Sequence, residues 1–336
     1  MSRPRLCSAV LCAAVVLAAP AAAHAAAGPS GACRASDHAT ALAAGETREI
    51  AAELVEVPGY CYVDVPEAEV EAALDILDRA EGQLGSDFFS SVALHSVVAD
   101  KASQNTARTK TGREVGLLQL HTFVEVPPAG MDREVATLGH AGRGRPKTLE
   151  IAGQTVYLFT DPSSRDSRYT YAWLRHGVQG GFDGATRPAM ERWLRRYLAA
   201  PDLAPGETEP ISRWLVPVPG YLFADYASPE VTDEFVTAPF GAVASSLHRV
   251  ADRDGQIGGL VLAQAPVGTT ADSYAGALRG YGSSQPVTVG GVDVRRFRSG
   301  ELVLYVWVAG GIAGAFLAPD AAAAEAFLAA LLTAAR

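Results

Sequence analysis

Apolar residues recur along the chain with two periods, and the same succession of periods runs through it twice. In the first half, Val57-Pro58-Gly59-Tyr60 leads into a short apolar run. A stretch opening at Pro66 then places Val70, Leu74 and Leu77 at helical spacing, with Glu67, Glu71, Asp75 and Asp78 between them, which predicts an amphipathic helix. Period-two alternation over 92–98 and 117–124 predicts two strands. A short helix is expected over 131–138, then strands over 149–151 and 156–159 joined by the turn at Ala152-Gly153. Strands over 169–175 and 178–182 follow, hinged at Gly177. The half closes on a helix carrying Met190, Leu194, Tyr197 and Leu198 on one face, with Trp193 beside them.

The second half repeats this order. Val57-Pro58-Gly59-Tyr60 returns as Val218-Pro219-Gly220-Tyr221, Ala93-Leu94-His95 as Ser246-Leu247-His248, and Gly116-Leu117-Leu118 as Gly259-Leu260-Val261. The longest match runs without a gap from Trp173 to Phe182 onto Trp307 to Phe316, and the frame holds into the closing helix, where Glu191 meets Glu325 and Leu194 meets Leu328. Such anchors in one order point to an internal duplication. The expected fold class is α+β: two tandem copies of an antiparallel-sheet module with helices packed on one face. The expected boundaries are a leader over 1–27, an N-terminal arm over 28–47, a first module over 48–200, a linker over 201–211 and a second module over 212–336. Pro201, Pro205 and Pro210 make that linker read as an extended spacer.

The duplication also bears on membrane topology. The uncharged run 302–319 is long enough to span a bilayer. Its counterpart in the first half carries Arg168, Arg175 and His176, which are costly in lipid, so a buried hairpin is expected instead.

The N-terminus predicts export. Arg3 and Arg5 precede an apolar stretch over 6–19, Pro20 breaks it, and Ala23-His24-Ala25 and Ala25-Ala26-Ala27 both fit a signal-peptidase site. The formal charge of −9 falls to −11 once those two arginines leave, because the leader holds no acids. An acidic chain argues against a nucleic-acid partner. Cys7 and Cys12 leave with the leader, so Cys33 and Cys61 remain as a pair in an oxidising compartment and predict a disulfide. Closing that loop contributes about 3–4 kcal/mol by chain-entropy arguments.

Candidate chemistry is sparse. There is no Gly-x-Ser-x-Gly elbow, no His-x-x-x-His, no Cys pair with finger spacing and no phosphate-cradling glycine loop. Asp252-Arg253-Asp254-Gly255 opens like a calcium loop but lacks the later ligands, so a hairpin turn is expected. No catalytic, metal or cofactor residues are therefore assigned. His95 and His248 share one repeat position, as do Trp173 and Trp307, and both pairs read as structural. Where the second half has a tight turn at 252–256, the first has a longer loop over 100–114 holding Lys101, Arg108, Lys110 and Arg113. A basic loop on an acidic protein is a candidate binding element for an anionic partner. The pattern as a whole favours a secreted or envelope-associated binding protein of unknown ligand. A secreted hydrolase with scattered catalytic residues is the alternative.

Overall fold

The computed structural model describes residues 42, 46–66, 68, 70–71, 89–99, 114–140, 143–200 and 206–335. Two compact units emerge: Met1–Val124 with Asp132–Asp202, and Glu125–Met131 with Leu203–Arg336.

Each unit is built on a seven-stranded antiparallel sheet. The first contains β1 (Tyr60–Asp64), β2 (Phe89–Ala99), β3 (Glu114–Phe123), β4 (Lys147–Ile151), β5 (Gln154–Thr160), β6 (Tyr169–Arg175) and β7 (Val178–Gly184), in the order β1-β2-β3-β7-β6-β5-β4. The second contains β8 (Leu222–Tyr226), β9 (Ser245–Asp252), β10 (Gly255–Gln264), β11 (Gln285–Val289), β12 (Val292–Ser299), β13 (Leu302–Ala309) and β14 (Ile312–Ala318). Its order, β8-β9-β10-β14-β13-β12-β11, is the same topology strand for strand. The apolar run 302–319 is the β13–β14 hairpin, and among the described residues no helix is long and apolar enough to cross a membrane.

Short helices α1 (Arg48–Glu53), α2 (Asp132–Ala136) and α4 (Glu209–Ser212) and longer ones α3 (Arg187–Ala199), α5 (Ala271–Ala277) and α6 (Ala321–Ala334) cover the sheets. The closing helices α3 and α6 pack on equivalent faces. Met190, Trp193, Leu194 and Tyr197 meet Leu118, Leu120, Trp173 and Phe182 in the first core. Phe327, Leu328 and Leu331 meet Leu260, Leu262, Trp307 and Phe316 in the second. The anchoring is the same in both: Tyr171 donates to Glu191 at 3.0 Å, and Tyr305 donates to Glu325 at 2.9 Å. Helical cover is not confined to that face. On the opposite face of the second sheet, Phe235, Val236, Tyr274, Ala275 and Leu278 pack on Val261, Leu304, Val306 and Ala315. Strands buried on both faces explain why β13 reads as an almost continuous apolar run rather than an alternating one.

Three sequence expectations change. Ile211 is fully buried and sits in a helical turn, with Pro210 near its start, where a missing N–H costs nothing. The spacer therefore ends before Thr208, and the second module begins upstream of 212. Glu46, also buried, extends the first module upstream of 48 in the same way. Lastly, the match of Gly116 to Gly259 is one residue out of register. Leu118 pairs with His95 and Leu260 pairs with His248, so Gly116 corresponds to Gly258. A Cβ on either would collide with the following strand's carbonyl and a phenylalanine ring. One residue of slip exchanges the two faces of a strand, so the corrected frame decides which side chains are equivalent. The predicted helix beyond Pro66 falls mostly outside the described residues, although Ala68, Val70 and Glu71 are helical.

The outer strands carry features that discourage further pairing. β4 exposes Lys147 and Glu150, and β11 has Pro286, which has no N–H to donate.

Candidate functional site

With the frame fixed, the faces of the two sheets opposite α3 and α6 can be compared position by position. In the first module this face holds Gln119 and His121 on β3, Thr170 on β6, and Gln179 and Asp183 on β7. The corresponding residues of the second are Val261, Ala263, Leu304, Ala313 and Leu317. Five buried or half-buried polar side chains in one module thus stand where the other is wholly apolar.

Gln119, Thr170 and Asp183 join Arg143 in one hydrogen-bonded group, and Gln179 and His121 lie on the same face, with α2 and the turn that follows it above Gln179. Asp183 accepts from Gln119 Nε2 at 2.7 Å, pairs with Arg143 Nη1 at 2.9 Å and accepts from the Thr170 hydroxyl. Arg143 also reaches Thr170 and the Ser167 carbonyl. Burial pushes the Asp183 carboxyl upward, against the pull of Arg143 and the Thr170 hydroxyl. Gln179 Nε2 donates to the carbonyls of Ala136 and Leu138, at 3.1 and 2.9 Å. Carbonyls only accept, so the amide orientation is fixed and Oε1 points the other way. That Oε1 and His121 Nδ1 are both buried with no hydrogen-bond partner among the described residues. They belong to directly opposed residues on one sheet face. His140 lies over Gly181, where a Cβ would sit 3.7 Å from its Nε2. Aromatic rings flank the imidazoles: Phe89 at 4.9 Å from His121 and Phe159 at 5.6 Å from His140.

Both histidines are held neutral. Desolvation lowers His121 to about 3, helped by His140, and lowers His140 to about 4, helped by Arg143. A histidine depressed in the fold contributes its stability above the unfolded value near 6.5 and loses it as pH falls toward the folded value. Each unit of acid below 6.5 should cost up to about 1.4 kcal/mol per histidine, the two contributing alike until the lower His121 value outlasts that of His140. The raised Asp183 carboxyl works in the opposite sense, over the window between the ordinary carboxylate value and its raised one. Denaturant unfolding at pH 7.5 and pH 5 should therefore show a marked loss. His121→Ala, the residue the second module carries, should roughly halve it, because His140 acts in the same window; an unchanged slope would show that His121 is not one of the groups responsible.

His95 and His248 remain equivalent, as the sequence predicts, and each has a carboxylate the sequence reading overlooks. His95 Nδ1 lies 3.2 Å from Asp64 on β1, and His248 Nδ1 lies 3.1 Å from Asp225 on β8. The spacing that carries Val57 onto Val218 also carries Asp64 onto Asp225 and Glu46 onto Glu207, so extending the match in both directions reveals them. His95 Nε2 faces Glu46 at 3.9 Å, whereas His248 Nε2 bonds the Ser246 hydroxyl at 2.9 Å. Ser246–His248–Asp225 thus has the connectivity of an activated nucleophile. Ser246 and His248 are nevertheless completely enclosed, and Ala93 replaces the serine in the first module. Trp173 and Trp307 are core residues, each lying flat against a glycine of the next strand, Gly180 and Gly314.

Cys61 lies on β1 and is disulfide-bonded. Cys33 and the basic loop residues Lys101, Arg108, Lys110 and Arg113 lie outside the described residues. Among the described residues no group of three or more His, Cys, Asp or Glu side chains is placed to hold a metal ion. No protein-family model matches the chain, and no curated protein matches it either.

Proposed function

We propose that the chain is an exported binding protein made of duplicated modules, in which the first module carries the ligand site and the second serves as scaffold. The observation that carries this reading is the polar cluster of Gln119, His121, Thr170, Gln179 and Asp183 on a face that is apolar in the second module. Burying a half-satisfied polar network is costlier than burying hydrocarbon, and the second module shows that the fold does not require it. A cost without structural need points to use. Export rests on the charged, apolar and small-residue order of the first 27 residues. The partner proposed for Cys61 is Cys33, the other cysteine outside the leader.

The test is a transplant. Gln119→Val, His121→Ala, Thr170→Leu, Gln179→Ala and Asp183→Leu give the first module its counterpart's residues, and Arg143→Met removes the cation this would strand. The variant should melt at or above the wild-type temperature. A small-molecule fraction from the growth medium should raise the melting temperature of wild type but not of the variant, because only a ligand bound to the fold stabilises it. Unfolding of the variant would make the cluster structural. A wild type indifferent to the fraction would also overturn the reading.

A second reading, a hydrolase, has one observation in its favour: the Ser246–His248–Asp225 chain. Labelling by a fluorophosphonate that Ser246→Ala abolishes would establish it. With Ser246 enclosed, no labelling is expected.

A further inference from the structure

Building on the binding reading, we infer that the cluster recognises an uncharged, hydroxyl-bearing molecule, one hydroxyl of which bridges His121 Nδ1 and Gln179 Oε1. The argument is one of complementarity. Gln179 Oε1 can only accept, because its Nε2 is spent on two backbone carbonyls. The missing partner must therefore donate, which excludes a carboxylate or phosphate dianion. An ammonium group donates, but it would bring a charge into a place with no free counter-charge among the described residues. The Asp183 carboxylate is already met by Arg143, Thr170 and Gln119. An anion fares no better, since the Arg143 guanidinium is committed to Asp183, Thr170 and the Ser167 carbonyl. Both imidazoles are neutral at physiological pH. A hydroxyl fits both orphaned atoms: it donates its one proton to the amide oxygen and accepts from His121 Nδ1–H, which fixes the imidazole in its Nδ1-protonated tautomer. The two residues face each other across β3 and β7, so their Cβ atoms lie roughly 5 Å apart, within the span of one bridging oxygen. The half-buried Phe89 and Phe123 rings, 5.3 Å apart beside His121, supply an apolar surface for the C–H groups that accompany hydroxyls in a polyol.

The experiment is side-chain 15N NMR of the histidines in the full exported protein, titrated separately with glycerol, acetate and methylammonium. Glycerol should move the His121 Nδ1 signal, and acetate and methylammonium should not. Gln179→Ala, which places the second module's residue at this position, should weaken glycerol binding about tenfold or more, since a lost buried acceptor costs on that order. His121→Ala should do the same as read on His140, so the result does not rest on one variant. Selective response to either charged probe would overturn the ligand class while leaving the site itself standing. No response to any probe, with the growth-medium fraction still stabilising wild type but not the transplant, would overturn the bridging role. An ordered water alone between the two atoms in a high-resolution structure with glycerol would overturn it as well.

Discussion

Replacing Glu53 with alanine should destabilise the first module by about 3–5 kcal/mol, the cost of leaving a buried charge without its partner. Glu53 lies at the end of α1 and is 2% exposed. Its Oε2 accepts from Arg175 Nε and Nη2 at 2.9 and 2.8 Å and from Tyr197 at 3.3 Å, while His176 Nδ1 lies 3.6 Å from Oε1. The Arg175 guanidinium also lies over the Tyr197 ring. In the second module Trp214 and Ala309 occupy the positions of Glu53 and Arg175, so the fold closes this corner equally well with hydrocarbon. Glu53→Ala combined with Arg175→Ala should therefore recover a substantial part of the loss. Hydrogen exchange, which reads the modules separately, is the suitable measurement. If the double variant is as unstable as Glu53→Ala alone, the damage is a cavity and not a stranded cation.

Gly180→Ala and Gly314→Ala should each destabilise their own module by about 3 kcal/mol, the upper part of the range for overpacking a closed core. A Cβ at either position would fall within the indole of Trp173 or Trp307, both fully buried. The backbone there has ordinary negative φ, so the demand for glycine comes from the neighbour and not from the turn. Gly181→Ala makes the control: its Cβ would meet only ordinary contacts, and the second module already has Ala315 at this place. Exchanging Trp173 for phenylalanine should partly rescue Gly180→Ala. Equal tolerance of all three alanines would show that the indoles can shift.

Much of the architecture was legible because the recurring sequence pattern gives each strand of one sheet a second witness in the other. The β6–β7 and β13–β14 hairpins follow from the ungapped match of 173–182 to 307–316, and the charges of the first correctly argued that the second is a strand pair and not a membrane-crossing helix. The Asp64–His95 and Asp225–His248 pairs were just as accessible, but only by pursuing the match past Tyr60, where Cys61 faces Leu222 and identity lapses. The polar cluster was hidden for a different reason. Gln119 and His121 alternate with Leu118 and Leu120, a pattern that reads as one wet face and one dry face. Alternation reports only that two faces differ. It does not distinguish water from a second buried layer, and here that layer is α2 with the turn over 137–139, His140 and Arg143. Arg143, Thr170 and Asp183 come from separate elements, so no local spacing announces their meeting.

The outer strands β4 and β11 have a consequence for self-association. An unpaired strand edge is a ready acceptor for another copy's strand, a hazard most acute for a protein that must fold at high local concentration. Pro286 leaves β11 without one backbone donor, and Lys147 and Glu150 would each meet their own like charge in an in-register parallel pairing of β4. Neither sheet can be lengthened cheaply on that side. Homotypic assembly through these two edges must therefore rely on side-chain surfaces, with an affinity that dilution reverses, and not on a continuous hydrogen-bonded ladder that would propagate into fibres.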